Sequence, residues 1–219
     1  RRMLGFTPLE WGRVAAVFVF FVFAAIFWAA YEQAASTLNL FADESVNRRV
    51  FGWTIPTSWF VSIQALFVIL LSGGFAWLWM RLGPREPATP TKFALGLLFA
   101  GLSFVLLLPA GAMAARGVLV SPWWLVAAYL LQVIGELCLS PVGNSVVTKL
   151  APPRIAGLMM GVWFLAIAAG NKLAGWVAGL SASVPVTTIF QGIAAVTIGA
   201  AVVLFLLIRP VRRLMGGVH

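Results

Sequence analysis

The sequence is poor in the residue types that most enzymes and metal sites use. It has one cysteine, Cys138, and one histidine, His219, which is the last residue. A single cysteine excludes an intramolecular disulfide, and no set of Cys and His with metal-ligand spacing occurs. A nucleophile elbow and a phosphate-binding glycine loop are absent as well. The sequence therefore predicts no enzyme activity, no metal and no other cofactor.

Charge is also scarce: charged residues make up 10% of the 219 positions, whereas 62% are hydrophobic. The mean hydropathy of +1.00 lies well above that of soluble domains. Apolar runs long enough to cross a bilayer alternate with short loops rich in Pro, Gly and charge, and the short alternating segments of a β-barrel are missing. The sequence predicts an all-α membrane protein with six transmembrane helices, at approximately 9–38, 56–81, 92–113, 122–150, 154–181 and 187–208.

The formal net charge of +9 comes from basic residues whose positions along the chain follow the predicted membrane topology. Basic residues flank the apolar spans and form no soluble basic face, so nucleic acid is not an expected partner. One side of the membrane collects Arg1, Arg2, Arg13, Arg81, Arg85, Lys92, Lys149, Arg154, Arg209, Arg212 and Arg213. The other side has Arg48, Arg49 and Arg116. The positive-inside rule predicts a multi-pass protein with both termini in the cytoplasm. The expected location is the cytoplasmic (inner) membrane.

Glu136 lies in the middle of the apolar fourth helix. An ionised side chain at that depth costs roughly 2.5 to 17 kcal/mol, so a function or a partner is expected to compensate it. Gln132, Ser140 and Gly143 follow the same helix face at helical spacing. Pro141 removes a backbone hydrogen bond close to Glu136 and predicts a kink or an opening. This face is the strongest candidate for a substrate or ion path.

Other polar and aromatic residues within the predicted spans each allow two interpretations. Trp28 and Glu32 share a face of the first helix, and Glu32 is either a site residue or a helix-end glutamate in the outer headgroup zone. Gln64, in the second helix, either hydrogen-bonds a neighbouring helix or faces a cavity. Trp163 and Asn171 share a face of the fifth helix, where Trp163 is equally typical of an ordinary packing residue.

The run from Gly135 to Gly175 resembles a signature of the proton-dependent oligopeptide transporter family, which has the major facilitator fold. The matching motifs are a GELxLSPVG helix, a TKLAP turn and GxMMGxWFLxxAxGNxLAG. FWAAYEQAASTLNLFAD in the first helix, and PTSWFVSIQALF and FAWLW in the second, are also similar to that family. The resemblance covers nearly the whole chain and corresponds to the family's carboxyl-terminal six-helix half-bundle. The family's amino-terminal half, with its ExxER motif, has no counterpart, and the chain begins at Arg1, so we expect residues 1–219 to be a fragment.

This resemblance implies proton-coupled symport of di- and tripeptides, with small peptides, protons, the lipid bilayer and the missing amino-terminal half as partners. It assigns Glu136 to the peptide amino terminus and to protonation, with Ser140 further along the cavity wall. Trp163 and Trp28 are implied to line the peptide pocket. Glu32 is implied to pair across the outer gate with an arginine of the missing half, and it is also a candidate proton site.

The chain departs from the family pattern at Gln64-Ala65, where many members have Asn-Pro. The amide is kept, but its reach differs.

The predicted substrate-binding residues are Glu136, Ser140, Trp163, Trp28, Gln64 and Asn171, and the predicted proton-coupling and gate residues are Glu136 and Glu32. Two alternatives stay open: transport of nitrate or another small solute by the same fold, and a non-transporting membrane subunit or pseudo-transporter fragment. The carboxylates at Glu136 and Glu32 disfavour a cavity that takes only anions.

Overall fold

The computed structural model describes residues 6–50 and 52–217 of the chain, and nearly all of them are helical. The helices are α1 (Pro8–Tyr31), α2 (Thr37–Ser45), α3 (Ser58–Leu82), α4 (Thr89–Ala114), α5 (Trp123–Leu150), α6 (Ala156–Gly179) and α7 (Val186–Leu214). Two short antiparallel strands, β1 (Arg49–Val50) and β2 (Trp53–Thr54), lie between α2 and α3. Within the described ranges, six segments are long and apolar enough to cross a membrane, with α1 and α2 forming one of them. The predicted all-α, six-span fold is confirmed.

The first helix starts with a capping box. The Thr7 hydroxyl accepts a hydrogen bond from the Glu10 backbone N–H at 3.2 Å, and the Glu10 carboxylate accepts one from the Thr7 backbone N–H at 2.7 Å. Pro8 follows in the first helical turn, where its missing N–H costs nothing. These contacts fix the start of α1 at Pro8.

The predicted first helix, 9–38, is wrong at its carboxyl end. α1 stops at Tyr31, a 3₁₀ turn covers Glu32–Ala35, and α2 then continues to Ser45. Polar side chains bond back to the helix here: Gln33 Nε2 donates to the Ala29 carbonyl at 3.0 Å and Ser36 Oγ to the Glu32 carbonyl at 3.1 Å. Such bonds offer the backbone an alternative to helix continuation. The break places Tyr31 and Glu32 at a helix end inside the span.

The sixth predicted span, 187–208, also ends too early. α7 passes through Pro210 and runs to Leu214. Val211 and Met215 are buried, and the backbone carbonyl of Leu214 lies 3.1 Å from where a Cβ on Gly12 would be. Burial of this tail against α1 therefore keeps the chain helical beyond the proline.

Close helix approaches hold the bundle together. A Cβ on Gly96 of α4 would lie 2.9 Å from the Gly135 carbonyl oxygen of α5, and a Cβ on Gly135 would lie 2.7 Å from the Gly96 oxygen. On α6, a Cβ at Gly170 would lie 2.5 Å from the Trp28 Cβ of α1. Small residues at helix crossings allow such contacts in membranes. The crossing at Gly135 sits one position from Glu136, so it fixes the depth of that carboxylate.

α3 is the least covered helix of the bundle, and much of α6 is exposed as well. In α3 only Phe60 and Gln64 are buried. Large apolar side chains project from both helices: Trp59, Leu66, Ile69, Leu70, Trp77, Leu78 and Met80 from α3, and Leu158, Phe164, Leu165, Leu173 and Trp176 from α6. Apolar faces of this extent are suited to lipid or to another protein surface.

Candidate substrate and proton site

The site is built around a bond between α1 and α5. The Tyr31 hydroxyl donates a hydrogen bond to Glu136 Oε2, which ties the end of α1 to the middle of α5. Both side chains are half-buried. Phe27, one turn before Tyr31, is fully buried and stacks on the Tyr31 ring at 5.7 Å between centroids. The phenol is therefore held in place from two sides, and Glu136 has a fixed donor.

Sequence reasoning missed Tyr31. The residue lies three positions after Trp28 and directly before Glu32, so it shares the polar end of α1 with both. A phenol within an apolar span needs a partner for its hydroxyl, and that requirement was the available signal. Which acceptor it finds depends on how α1 and α5 approach each other, which the sequence pattern does not contain.

Trp28 adds an unused donor beside this pair. Its ring meets the Tyr31 ring edge-on at 5.3 Å between centroids. The indole Nε1 is buried and has no hydrogen-bond partner among the described residues. A buried donor without an acceptor is costly. An acceptor from outside these residues could reach the Trp28 indole N–H only if the ring turned, because the nitrogen is already buried.

Glu32 lies in the 3₁₀ turn next to Tyr31 and is half-buried. No ion pair joins its carboxylate to a basic side chain within residues 6–50 and 52–217. The predicted gate carboxylate therefore lies close to the Tyr31–Glu136 bond and is not paired with a basic side chain of the described residues.

Gln64 uses its amide within the bundle. Its Nε2 donates to Gln132 Oε1 at 3.1 Å, and Gln132 Nε2 donates to Ser103 Oγ at 3.3 Å. All three side chains are buried. Of the two interpretations, the structure shows the interhelical hydrogen bond, which links α3, α5 and α4. A contact of Gln64 with substrate would require this bond to open and stays a prediction.

Trp163 is a packing residue in this conformation. Its side chain is 2% exposed. The ring meets Phe93 of α4 edge-on at 6.1 Å and covers Gly143, where a Cβ would lie 2.3 Å from Trp163 Cζ2. The indole thus wedges α6 against α5 on the helix face that also carries Glu136.

Ser140 and Asn171 are not joined to the Tyr31–Glu136 pair. Ser140 is half-buried and Asn171 is exposed on α6. Neither side chain forms a hydrogen bond with another residue of the described ranges. Their predicted contacts with substrate stay predictions.

Among the described residues, no group of three or more His, Cys, Asp or Glu has the arrangement of a metal site.

Comparison with known proteins identifies the family. The sequence model of the POT family (PTR2) matches residues 10–196. This chain belongs to the POT family. It is 45% identical over 95% of its length to the uncharacterized transporter YclF of Bacillus subtilis, and 42% identical over 93% to the peptide transporter YePEPT of Yersinia enterocolitica. A di-/tripeptide transporter of Lactococcus lactis subsp. cremoris is 32% identical over 94% of the chain. The resemblance predicted from the motifs is confirmed.

A solved structure agrees with this placement. The crystal structure of a glutamate-to-glutamine mutant of a peptide transporter POT, in complex with alafosfalin, matches 96% of this chain with a TM-score of 0.88 and 41% identity. The match covers 43% of that protein, and the chain covers 41 to 42% of the three relatives named above. The chain spans less than half the length of its relatives and has the fold of the carboxyl-terminal six-helix half.

Proposed function

We propose that this chain forms the carboxyl-terminal half of the cavity of a transporter that carries di- and tripeptides across the cytoplasmic membrane together with protons. The observation that carries the proposal is the Tyr31 hydroxyl donating to the Glu136 carboxylate inside an apolar bundle. Two of the relatives are named as a peptide transporter and a di-/tripeptide transporter, which supports this substrate class.

Glu136 couples the proton to the peptide in this mechanism. As a carboxylate it accepts the Tyr31 hydrogen bond and attracts the ammonium group of the peptide. Protonation removes the cost of an ionised side chain in the apolar interior, so the cavity can close with the proton and the peptide both inside. A hydrogen bond to a charged group is worth roughly 1.5–3 kcal/mol, or about 10- to 150-fold in affinity.

Trp28 and Glu32 supply the outer side of the cavity. The indole N–H of Trp28 could donate to an acceptor oxygen on the peptide or on the opposite half once its ring turned to expose the buried nitrogen. Glu32, which has no cationic partner among the described residues, is suited to an arginine of the amino-terminal half. Such a pair across the gate would form in one conformation and break in the other.

The amino-terminal half packs, in this proposal, against the apolar faces of α3 and α6. These two helices expose large side chains such as Leu66, Ile69 and Phe164. Alternating access requires a second half, because one half rocks against the other around a shared site. Both chain termini then lie in the cytoplasm, in keeping with the excess of Lys and Arg at that end.

The test is uptake of a labelled dipeptide by cells that lack their own peptide carriers. The cells express this chain alone, an amino-terminal half from a similar transporter alone, or both as separate chains. We expect proton-dependent uptake only when both halves are present. Strong uptake by this chain alone would show that it works as a homodimer, and nitrate uptake without dipeptide uptake would favour the small-solute alternative.

A further inference from the structure

The last two turns of α7 carry a cluster of exposed arginines. Arg209, Arg212 and Arg213 come directly after the apolar run that ends at Ile208, and all three side chains are exposed. α7 has 29 residues. At about 1.5 Å per residue it is about 43 Å long, whereas the hydrocarbon core of a bilayer is roughly 30 Å thick. The arginine cluster therefore reaches the headgroup level of one leaflet.

The arginines share a helix face with exposed apolar side chains. At about 100° per residue, the three arginines fall within about 100° of one another around α7. Val202, Phe205 and Leu206, one to two turns earlier, occupy the same sector and are 51%, 36% and 76% exposed. This face is thus apolar as far as Leu206 and cationic from Arg209 onward, so its character changes within one turn.

The opposite face of α7 keeps this end of the chain helical. Val211 and Met215 are buried there. The Leu214 backbone carbonyl lies 3.1 Å from where a Cβ on Gly12 of α1 would be, so the two helices are in close contact. The arginines are therefore presented by a packed helix, which fixes their spacing and the direction in which they project.

The positive charge of the cluster is not neutralised within the described ranges. None of the three arginine side chains forms an ion pair or a hydrogen bond with another described residue. Glu10, at the adjoining start of α1, is engaged in the capping box with Thr7. The carboxyl end of the helix contributes only about half a negative charge. The cluster therefore keeps an excess of positive charge, which favours an anionic partner.

We propose that this face of α7 binds an anionic phospholipid, with its phosphate at Arg209 and Arg213 and an acyl chain along Val202 and Leu206. Arg209 and Arg213 are neighbours one turn apart on the exposed face, so one phosphate can contact both. Guanidinium groups are well suited to phosphate, because their N–H donors match its oxygens in pairs. A soluble anion has the same charge but no use for the apolar stripe. The change from apolar to cationic at the headgroup level fits an amphiphile.

The test uses the purified chain in mild detergent. Native mass spectrometry follows the titration of phosphatidylglycerol, phosphatidylcholine with the same acyl chains, or inorganic phosphate. The cluster variant Arg209→Gln/Arg213→Gln removes two exposed cations from the proposed site. The matched control Arg49→Gln/Arg116→Gln removes two exposed cations from the opposite end of the bundle and changes the net charge equally.

We expect the wild type to retain phosphatidylglycerol in preference to phosphatidylcholine, and inorganic phosphate not to displace it. One cation near an anionic lipid surface contributes about 1 kcal/mol, or about fivefold, so the cluster variant should bind phosphatidylglycerol about 25-fold more weakly. The control variant should stay within about threefold of the wild type. Thermal unfolding in phosphatidylcholine should be the same for the wild type and the cluster variant, because the two side chains are exposed.

Equal losses in the two double variants would show a general effect of net charge and would overturn the site. Displacement of phosphatidylglycerol by inorganic phosphate would show a site for soluble anions and would overturn the lipid assignment. Equal retention of the two lipids by the wild type would contradict the role of the arginines. A lower unfolding temperature of the cluster variant in phosphatidylcholine would show that these arginines stabilise the chain itself, which also contradicts the proposal. None of these outcomes depends on peptide transport.

Discussion

At the scale of single residues, the two tyrosines of the chain form a natural comparison. The Tyr31 hydroxyl donates to Glu136, whereas the Tyr129 hydroxyl is buried without a hydrogen-bond partner among the described residues. Both side chains are otherwise packed among apolar neighbours. A hydroxyl that binds a carboxylate stabilises the fold, whereas an orphaned one is a cost.

Tyr31→Phe should therefore lower the free energy of unfolding by about 1.5–3 kcal/mol, because it removes a hydrogen bond to a charged acceptor and keeps the stacked ring. Tyr129→Phe, the control, should be neutral or stabilising. The measurement is unfolding of each purified variant in the same detergent. Equal destabilisation by both substitutions would show that the Tyr31–Glu136 bond contributes nothing beyond ring packing.

At the scale of helices, the contact of α5 with α6 depends on a glycine under an indole. A Cβ on Gly143 would lie 2.3 Å from Trp163 Cζ2 and 2.5 Å from Cη2. Both atoms belong to a ring held against Phe93, so the indole has little room to move aside. The close fit of the Trp163 ring over Gly143 therefore sets how near α5 and α6 lie, on the face of α5 that also carries Glu136.

Gly143→Ala should destabilise the bundle by about 1–3 kcal/mol through overpacking. Gly161→Ala on α6 is the matched control, because nothing lies within 4 Å of its Cβ position. That change should be neutral or slightly stabilising, since alanine favours helix. Thermal unfolding of both variants and of Gly143→Ala/Trp163→Phe checks the cause, and the smaller ring should recover part of the loss. No recovery would place the strain elsewhere.

Hydropathy and motifs were enough to predict the six spans and the family, because bilayer thickness and binary patterning are local in sequence. The end of α1 was not predictable in this way. Its break depends on Gln33 and Ser36 bonding back to the helix, and such side chains are also compatible with a continuous helix. The hydrogen-bond partner of Gln64 could not be predicted from sequence, because it depends on how α3 approaches α5. Pro210 was misleading, since burial of Val211 outweighs the lost backbone bond.

At the scale of the whole molecule, charge distribution predicts the orientation in the membrane. Arg49 lies in the short β1 strand between the first two spans, and Arg213 lies in the last turn of α7. Both side chains are exposed. They sit at opposite ends of the bundle, so they report on opposite sides of the membrane.

In intact cells, Arg49→Cys should react with an impermeant thiol reagent and Arg213→Cys should not, because the basic end faces the cytoplasm. Both are made in a Cys138→Ser background, although Cys138 itself is buried. Permeabilised cells, in which both should react, provide the control. The reverse pattern in intact cells would contradict the orientation.

The central claim is that Glu136 couples protons to peptide movement, and it is tested most directly by separating accumulation from exchange. In proteoliposomes that contain both transporter halves, we expect Glu136→Gln to lose pH-driven accumulation of a labelled dipeptide and to keep part of its exchange across the membrane. Glu44→Gln, which changes an exposed carboxylate of α2, should keep both activities. If Glu136→Gln accumulates dipeptide at the wild-type rate under a pH gradient, Glu136 does not couple the proton and the account is wrong.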